Sequence, residues 1–221
     1  MKKYIALIIL LFVSSFLSYG QDLDSLVQEI KIQKDTTQIN SLILLGRRLR
    51  RSNPDSSLVT LQIAILNSEE LGFHKGKMVA LQNRGIAYGM KHEYAKSISD
   101  FNEAVSLGIK YNNPELTADA YNGLGIVYKR IGDYVTSLKY YDEALTIYKK
   151  NGPIKGESST YANLGVLYDL IGEYENSYKY YSAAYKINDS LNYTKNKHSL
   201  LTNIAIYHIR KEEFLKAIKM F

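Results

Sequence analysis

The chain has 221 residues, a formal net charge of +6, 20 tyrosines, and neither tryptophan nor cysteine. Without cysteine there is no disulfide framework, no thiolate metal site and no lipid attachment through a cysteine. The basic excess falls from +6 to +4 over residues 21–221 once Lys2 and Lys3 are set aside, which is too mild to call for nucleic acid.

At the N-terminus, Lys2-Lys3 precede an apolar run of 14 residues from Tyr4 to Leu17, which ends in Ser18-Tyr19-Gly20 ahead of polar Gln21. This order of charged, apolar and small residues predicts a secretory signal peptide over residues 1–20, cleaved after Gly20, and so an exported protein of the periplasm or cell envelope. An uncleaved anchor is the weaker reading, because spanning a bilayer takes about 20 apolar residues. Residues 21–37 read as a short amphipathic helix with Leu23, Leu26, Val27 and Ile30 on one stripe, placed to cap the first repeat.

From residue 38 onward the chain repeats. Gly85, Gly125 and Gly165 stand 40 residues apart and Ala205 takes the next position; Tyr88, Tyr128 and Tyr168 share the period. So do Ala104, Ala144 and Ala184, the aromatic column Phe101, Tyr141, Tyr181 and Phe221, and the small-residue column Ser97, Ser137, Ser177 and Ala217. A further column holds Tyr94, Tyr134, Tyr174 and Phe214, each preceded by an acid. Counted back one period, Leu44, Ser57, Leu61 and Ala64 fall in step, so the units lie near 38–77, 78–117, 118–157, 158–197 and, incomplete, 198–221. A period of this length marks an array in which each unit is one supersecondary element that buries its apolar face only against a neighbour.

Within a unit, Tyr121, Leu124, Gly125 and Tyr128 form one helical stripe, and Tyr134, Leu138, Tyr141, Ala144, Leu145 and Tyr148 form the next. Ile131-Gly132-Asp133 between them reads as a turn with Gly132 at positive φ, and Asn53-Pro54-Asp55 plays the same part in the first unit. Glycine and alanine at the crossing let an aromatic ring of the partner helix lie against backbone. Arg47, Arg48, Arg50 and Arg51 fall in the last turn of a predicted helix, where cations complement the macrodipole, and read as a solvated helix end.

These columns resemble the tetratricopeptide repeat (TPR) family, whose pattern runs bulky residue, Leu, Gly, Tyr, then Ala, aromatic, Ala across a helix pair. Tyr121-Leu124-Gly125-Tyr128-Ser137-Tyr141-Ala144 and Tyr161-Leu164-Gly165-Tyr168-Ser177-Tyr181-Ala184 carry the match, with Tyr for the usual Trp and Ser for the first Ala. Leu81 and Leu201 stand at the bulky site, Arg84 in the Leu column and His208 in the Tyr column. The usual Pro near the end of the unit is missing, and the period exceeds the common 34 by about six residues. Over residues 38–221 the resemblance implies an all-α fold, an α-solenoid wound as a right-handed superhelix of antiparallel helix pairs, with a concave face lined mainly by the first helix of each pair.

Motifs for chemistry are missing. Gly123-Leu124-Gly125 begins a dinucleotide fingerprint, but Tyr128 stands where the third glycine belongs, and Gly72 to Lys77 fails as a phosphate loop in spacing and in Met78. His74, His92, His198 and His208 show no ligand spacing; His92 falls in a turn and His208 in a packing column. Glu69-Glu70 and Glu212-Glu213 are sequence neighbours that a helix points apart. We therefore expect no catalytic residue, no metal ligand and no cofactor.

About a quarter turn from the packed stripe, the first helices carry Gln82, Asn83, Asn122, Asn163 and Asn203, with Lys129, Arg130 and Arg210 further along. Amides both donate and accept, which suits the backbone of an extended peptide, and the cations suit acidic groups. The resemblance implies that an Asn at the site of Asn83, Asn163 and Asn203 contacts bound peptide; Gly123 interrupts that column. It also implies that a clamp for C-terminal carboxylates needs lysine where Gln82, Asn122, Ala162 and Thr202 stand. The competing reading is that the amides tie adjacent helices together.

Two functions follow as expectations. One is an exported scaffold that binds a protein or extended peptide, without nucleic acid and without catalysis. The other is the extracytoplasmic sensor half of a membrane signalling protein, because the segment from Asp35 to Ser56 resembles the start of exported TPR regulators in which a histidine kinase or helix-turn-helix domain follows the array. Phe221 falls in the middle of a second helix, so the chain is expected to be part of a longer protein, with a membrane partner only if it continues.

Overall fold

The computed structural model describes residues 35–151, 153–194 and 196–220; the expected signal peptide and most of the expected capping helix lie outside them. Among the described residues there are ten helices and no strand. A first unit, up to Tyr111, holds α1 (Thr36–Ser52), α2 (Pro54–Glu70), α3 (His74–Met90) and α4 (Tyr94–Lys110). A second, from Asn112, holds α5 (Pro114–Ile131), α6 (Tyr134–Asn151), α7 (Ile154–Leu170), α8 (Tyr174–Ser190), α9 (Lys197–Arg210) and the short α10 (Phe214–Ile218). Each unit is a run of the all-α solenoid, in which helices pack as sequential pairs and each pair packs on the next. Within a pair they are antiparallel: Gly125, late in α5, meets Tyr141 of α6, whereas Ala118, early in α5, packs with Ala144 and Tyr148.

At three of the crossings the small residue is there because a ring occupies the space. A methyl group at Gly125 would stand 2.5 Å from the Tyr141 ring, one at Gly165 would stand 2.5 Å from the Tyr181 ring, and one at Gly85 would stand 3.1 Å from Phe101. Serine replaces the family's alanine for a related reason. Ser97 Oγ donates to the Gly85 carbonyl at 2.6 Å and Ser137 Oγ to the Gly125 carbonyl at 2.7 Å, so each buried hydroxyl ties the second helix of its pair to the first.

The first pair corrects the period count. Leu44 is 38% exposed, whereas Leu45 is buried and Gly46 is the glycine of the crossing: a methyl there would stand 2.6 Å from Leu61, and Ser57 Oγ donates to its carbonyl at 2.7 Å. The register slips by one because the junction is two residues shorter, Asn53 alone against Lys91, His92 and Glu93, while α1 runs one residue further past its glycine than α3 does. Asn53 ends α1 by donating its N–H to the Leu49 carbonyl and caps α2 by accepting from Ser56 N–H, with Pro54 first in the helix.

Most of the other turns share one geometry. Positive φ recurs at Gly72, His92, Asn112, Gly132, Gly172, Asn192 and Glu212, at multiples of 20 residues. In six of these the following N–H returns to a carbonyl five residues back, as in Glu93 to Tyr88 at 3.0 Å and Asp133 to Tyr128 at 3.0 Å. This is the Schellman closure of a helix C-terminus, used both within and between pairs. Gly132, at φ 91°, fills the role expected of it.

Candidate partner-binding face

In the first unit, the predicted amides lie inside the packing. Gln82 and Asn83 are each 8% exposed, and Asn83 Nδ2 donates to the Val79 carbonyl one turn back at 2.7 Å. Beside them sits an ion pair that the column pattern hid, between half-buried Arg84 and buried Asp100. Arg84 Nε reaches Asp100 Oδ2 at 2.8 Å, a second bond joins Nη2 to Oδ1, and Nη1 donates to Gln62 of α2. Burial pushes the Asp100 carboxyl up, against the opposing pull of Arg84.

Arg84 and Asp100 replace an apolar arrangement seen twice in the second unit. There Tyr140 lies between Tyr121 and Tyr128, at centroid distances of 5.9 and 5.4 Å, and Tyr180 lies between Tyr161 and Tyr168, at 5.8 and 5.3 Å. Asp100, Tyr140 and Tyr180 stand 40 residues apart, as do Arg84, Leu124 and Leu164, so a column comparison of second helices was the signal available.

The remaining predicted residues belong to the second unit. Asn122 and Asn163 are half-buried and meet: Asn163 Nδ2 donates to Asn122 Oδ1 at 3.1 Å, joining α5 to α7. Asn203 is half-buried on α9. Exposed Arg210 pairs with Asp169, joining α9 to α7, and its guanidinium lies 4.2 Å from the Tyr174 ring centroid. Asp169 was not anticipated. Nor was Asp119, which accepts from the Tyr148 hydroxyl and whose carboxyl is pushed up by burial. Tyr148 reaches it over Gly156, where a methyl group would stand 2.3 Å from the ring.

Lys129 and Arg130 end α5 differently. Arg130 is exposed, whereas Lys129 is half-buried and has no carboxylate partner among the described residues. Desolvation, with Arg130 adding, pushes its pKa down to about 8. Asp119, Asn122 and Lys129 lie at i, i+3 and i+10 of α5, on one stripe.

The family model described as tetratricopeptide repeat matches residues 77–150 and 116–190, more than half of the chain. The chain belongs to the tetratricopeptide repeat family. BtubC (BKLC) from P. vanneervenii is similar at TM-score 0.75 and 15% identity, over 90% of this chain and 86% of that one. The signal transduction ATPase with numerous domains (STAND) protein with a tetratricopeptide repeat sensor from Pyrococcus horikoshii is similar at TM-score 0.72 and 16% identity, over 97% of this chain and 34% of that one. Pseudomonas aeruginosa pilF is similar at TM-score 0.63 and 16% identity, over 82% and 72%. No curated protein matches. At these identities the likeness is one of fold.

TPR proteins bind other proteins or peptides, so a protein partner is the class that membership supports. In this TPR array His208 packs between helices and His92 braces a turn. His208 is buried, edge-on to Tyr178 and Tyr207, with Nδ1 2.7 Å from Glu213, and His92 Nδ1 lies 2.7 Å from the Tyr94 hydroxyl. Among the described residues no group of three or more His, Cys, Asp or Glu is placed to hold a metal ion, and no helix is long and apolar enough to cross a membrane. Of the arginine cluster, Arg47, Arg48 and Arg51 are exposed, but Arg50 is half-buried, with its pKa lowered by desolvation and by Arg47 and Arg51.

Proposed function

We propose that this chain is an exported scaffold that holds a protein or extended peptide along the first helices of its second unit, with no catalysis of its own. The tetratricopeptide repeat match carries the reading of a protein or peptide partner; the Asn122–Asn163 and Asp169–Arg210 bonds tie α5, α7 and α9 together, as the competing reading of the amides has it. Those bonds set the first helices side by side and still leave unused valences. Each amide of the pair has further donor or acceptor capacity, and Lys129 on the same stripe of α5 offers an ammonium without a counter-ion. Extended backbone and acidic side chains are the complementary chemistry. The N-terminal order of charge, apolar run and small residues supports export.

Twelve-residue peptides displayed on phage and selected on the purified chain supply the probe. Titration of a selected peptide is expected to weaken by about 0.5–1.5 kcal/mol in each of Asn163→Ala and Asn203→Ala, with helicity unchanged. A selection without a saturable peptide, or equal affinity in the double variant, removes the site from this face. Intact mass of envelope material is expected to lack Met1 through Gly20; the full-length mass in a cytoplasmic fraction would overturn export.

The second reading is the sensor half of a membrane signalling protein. It is favoured by the fit of 97% of the chain to the P. horikoshii protein, whose array is a sensor, and by the resemblance of residues 35–56 to exported TPR regulators. Sequencing the gene past the codon for Phe221 separates the two: a run of about 20 apolar residues supports the sensor.

A further inference from the structure

The second unit contains a recess that shares no residue with the amide face. It has a volume of about 330 Å³ and opens between the second helices α6 and α8, over Tyr161 of α7. Tyr161, Tyr180 and Leu145 give it apolar walls, and Asp142, Lys149 and Lys179 bring charge to it. The aromatic wall is held in place, because Tyr180 is clamped between the rings of Tyr161 and Tyr168 at 5.8 and 5.3 Å. Both ammonium groups are steered towards that wall: Lys149 Nζ lies 5.5 Å from the Tyr161 centroid and Lys179 Nζ 5.7 Å from that of Tyr180.

Elsewhere, lysines within reach of a carboxylate have taken it: Lys77 pairs with Glu69 and Glu103 at 2.7 and 2.6 Å, and Lys197 with Asp189 at 2.6 Å. Lys149 and Lys179 have no such partner among the described residues, although Asp142 lines the same recess. The Tyr161 phenol foremost, then Glu157 and Asp142, hold the Lys149 pKa above the usual lysine range, so it stays charged at neutral pH. Two lysines against Asp142 leave one net positive charge on the lining, which suits a monoanion better than a phosphate dianion. The volume is at the small end of ligand sites, and an apolar wall with a few convergent polar groups is their usual make-up.

We propose that this recess binds a carboxylate carried on an aromatic or apolar body, with the body against Tyr161 and Tyr180 and the carboxylate at Lys149 and Lys179. It does not rest on the amide-face reading, since the two share no residue. The carboxylate has two possible sources, a free small acid or the C-terminal end of a partner chain.

The test is titration of the full chain, labelled with ¹³C on its tyrosine rings, with phenylacetate, its neutral isostere phenylacetamide, and acetyl-glycyl-phenylalanine. Phenylacetate or the dipeptide is expected to shift the Tyr161 and Tyr180 resonances saturably, and phenylacetamide to bind at least roughly tenfold more weakly than phenylacetate. Tighter binding of the dipeptide assigns a partner terminus, and tighter binding of phenylacetate a free acid; both uphold the recess. The Lys149→Gln, Lys179→Gln chain, altered at two exposed sites, is expected to lose roughly tenfold in affinity with its helicity intact, and the Lys149→Arg, Lys179→Arg chain to retain binding. No saturable shift up to about 20 mM of any probe, equal binding of phenylacetamide, or unchanged affinity in the glutamine variant overturns the proposal.

Discussion

Gly125 shows how much one missing side chain controls. Its backbone faces the Tyr141 ring and its carbonyl accepts from Ser137, so a larger residue displaces a ring that is itself fully buried. Gly125→Leu is expected to destabilise the protein by about 1–3 kcal/mol through overpacking, read from urea unfolding; an unchanged midpoint would contradict the placement. Lys129 presents the opposite case, a charge kept at a cost. Its folded pKa of about 8 lies below the ordinary 10.5, so between those values the unfolded chain binds more protons and stability rises with pH. Below about 8 the desolvation cost is felt in full. Lys129→Met is therefore expected to stabilise the protein by about 1–2 kcal/mol at pH 7, with the gap to the parent closing by about pH 10. A gap constant across that range would mean that the ammonium is solvated.

At the scale of the helix, the turns matter as much as the packed faces. Left-handed backbone recurs at multiples of 20 residues, and glycine fills it at Gly72, Gly132 and Gly172, where a methyl group would meet nothing within 4 Å. His92 adopts the same conformation at φ 61° with a side chain that pays a steric penalty, offset in part by its bond to Tyr94. His92→Gly is expected to stabilise the protein by about 0.5–1 kcal/mol, read as a rise in thermal midpoint. A fall would show that the Tyr94 bond outweighs the strain. Glycine makes this cadence legible at Gly72, Gly132 and Gly172 and asparagine at Asn112 and Asn192, whereas His92 and Glu212 carry no side-chain signature for it.

Across the molecule, repeat arrays gain stability from each unit and its nearest neighbours, so damage stays local. The Arg84–Asp100 pair allows a direct test, since removing Asp100 strands the charge of half-buried Arg84, a cost of up to about 3 kcal/mol. In Asp100→Ala, hydrogen exchange is expected to accelerate in α3 and α4, while α7 and α8 keep their protection. Equal loss in all four helices would mean that the array unfolds as one body.

The 40-residue period, the helix pairs, the glycine and aromatic columns and the Asn53 and Gly132 turns were all readable in the chain, because they depend on local geometry repeated at fixed spacing. The same spacing put Leu44 in the packed Leu column, where Leu45 stands one residue on, since the short junction at Asn53 moves the register without disturbing the helical pattern. Helical periodicity assigns a residue to a face; it says nothing of how deeply a neighbouring helix covers that face. Tertiary packing decided that Gln82 and Asn83 are buried, that Asn163 turns to Asn122, that Arg210 finds Asp169 and Lys129 finds no acid, and that Tyr140 and Tyr180 are clamped between rings. Each of these depends on side chains 12 to 41 residues apart being brought within bonding distance or kept from it, which only the docking of one helix on another determines.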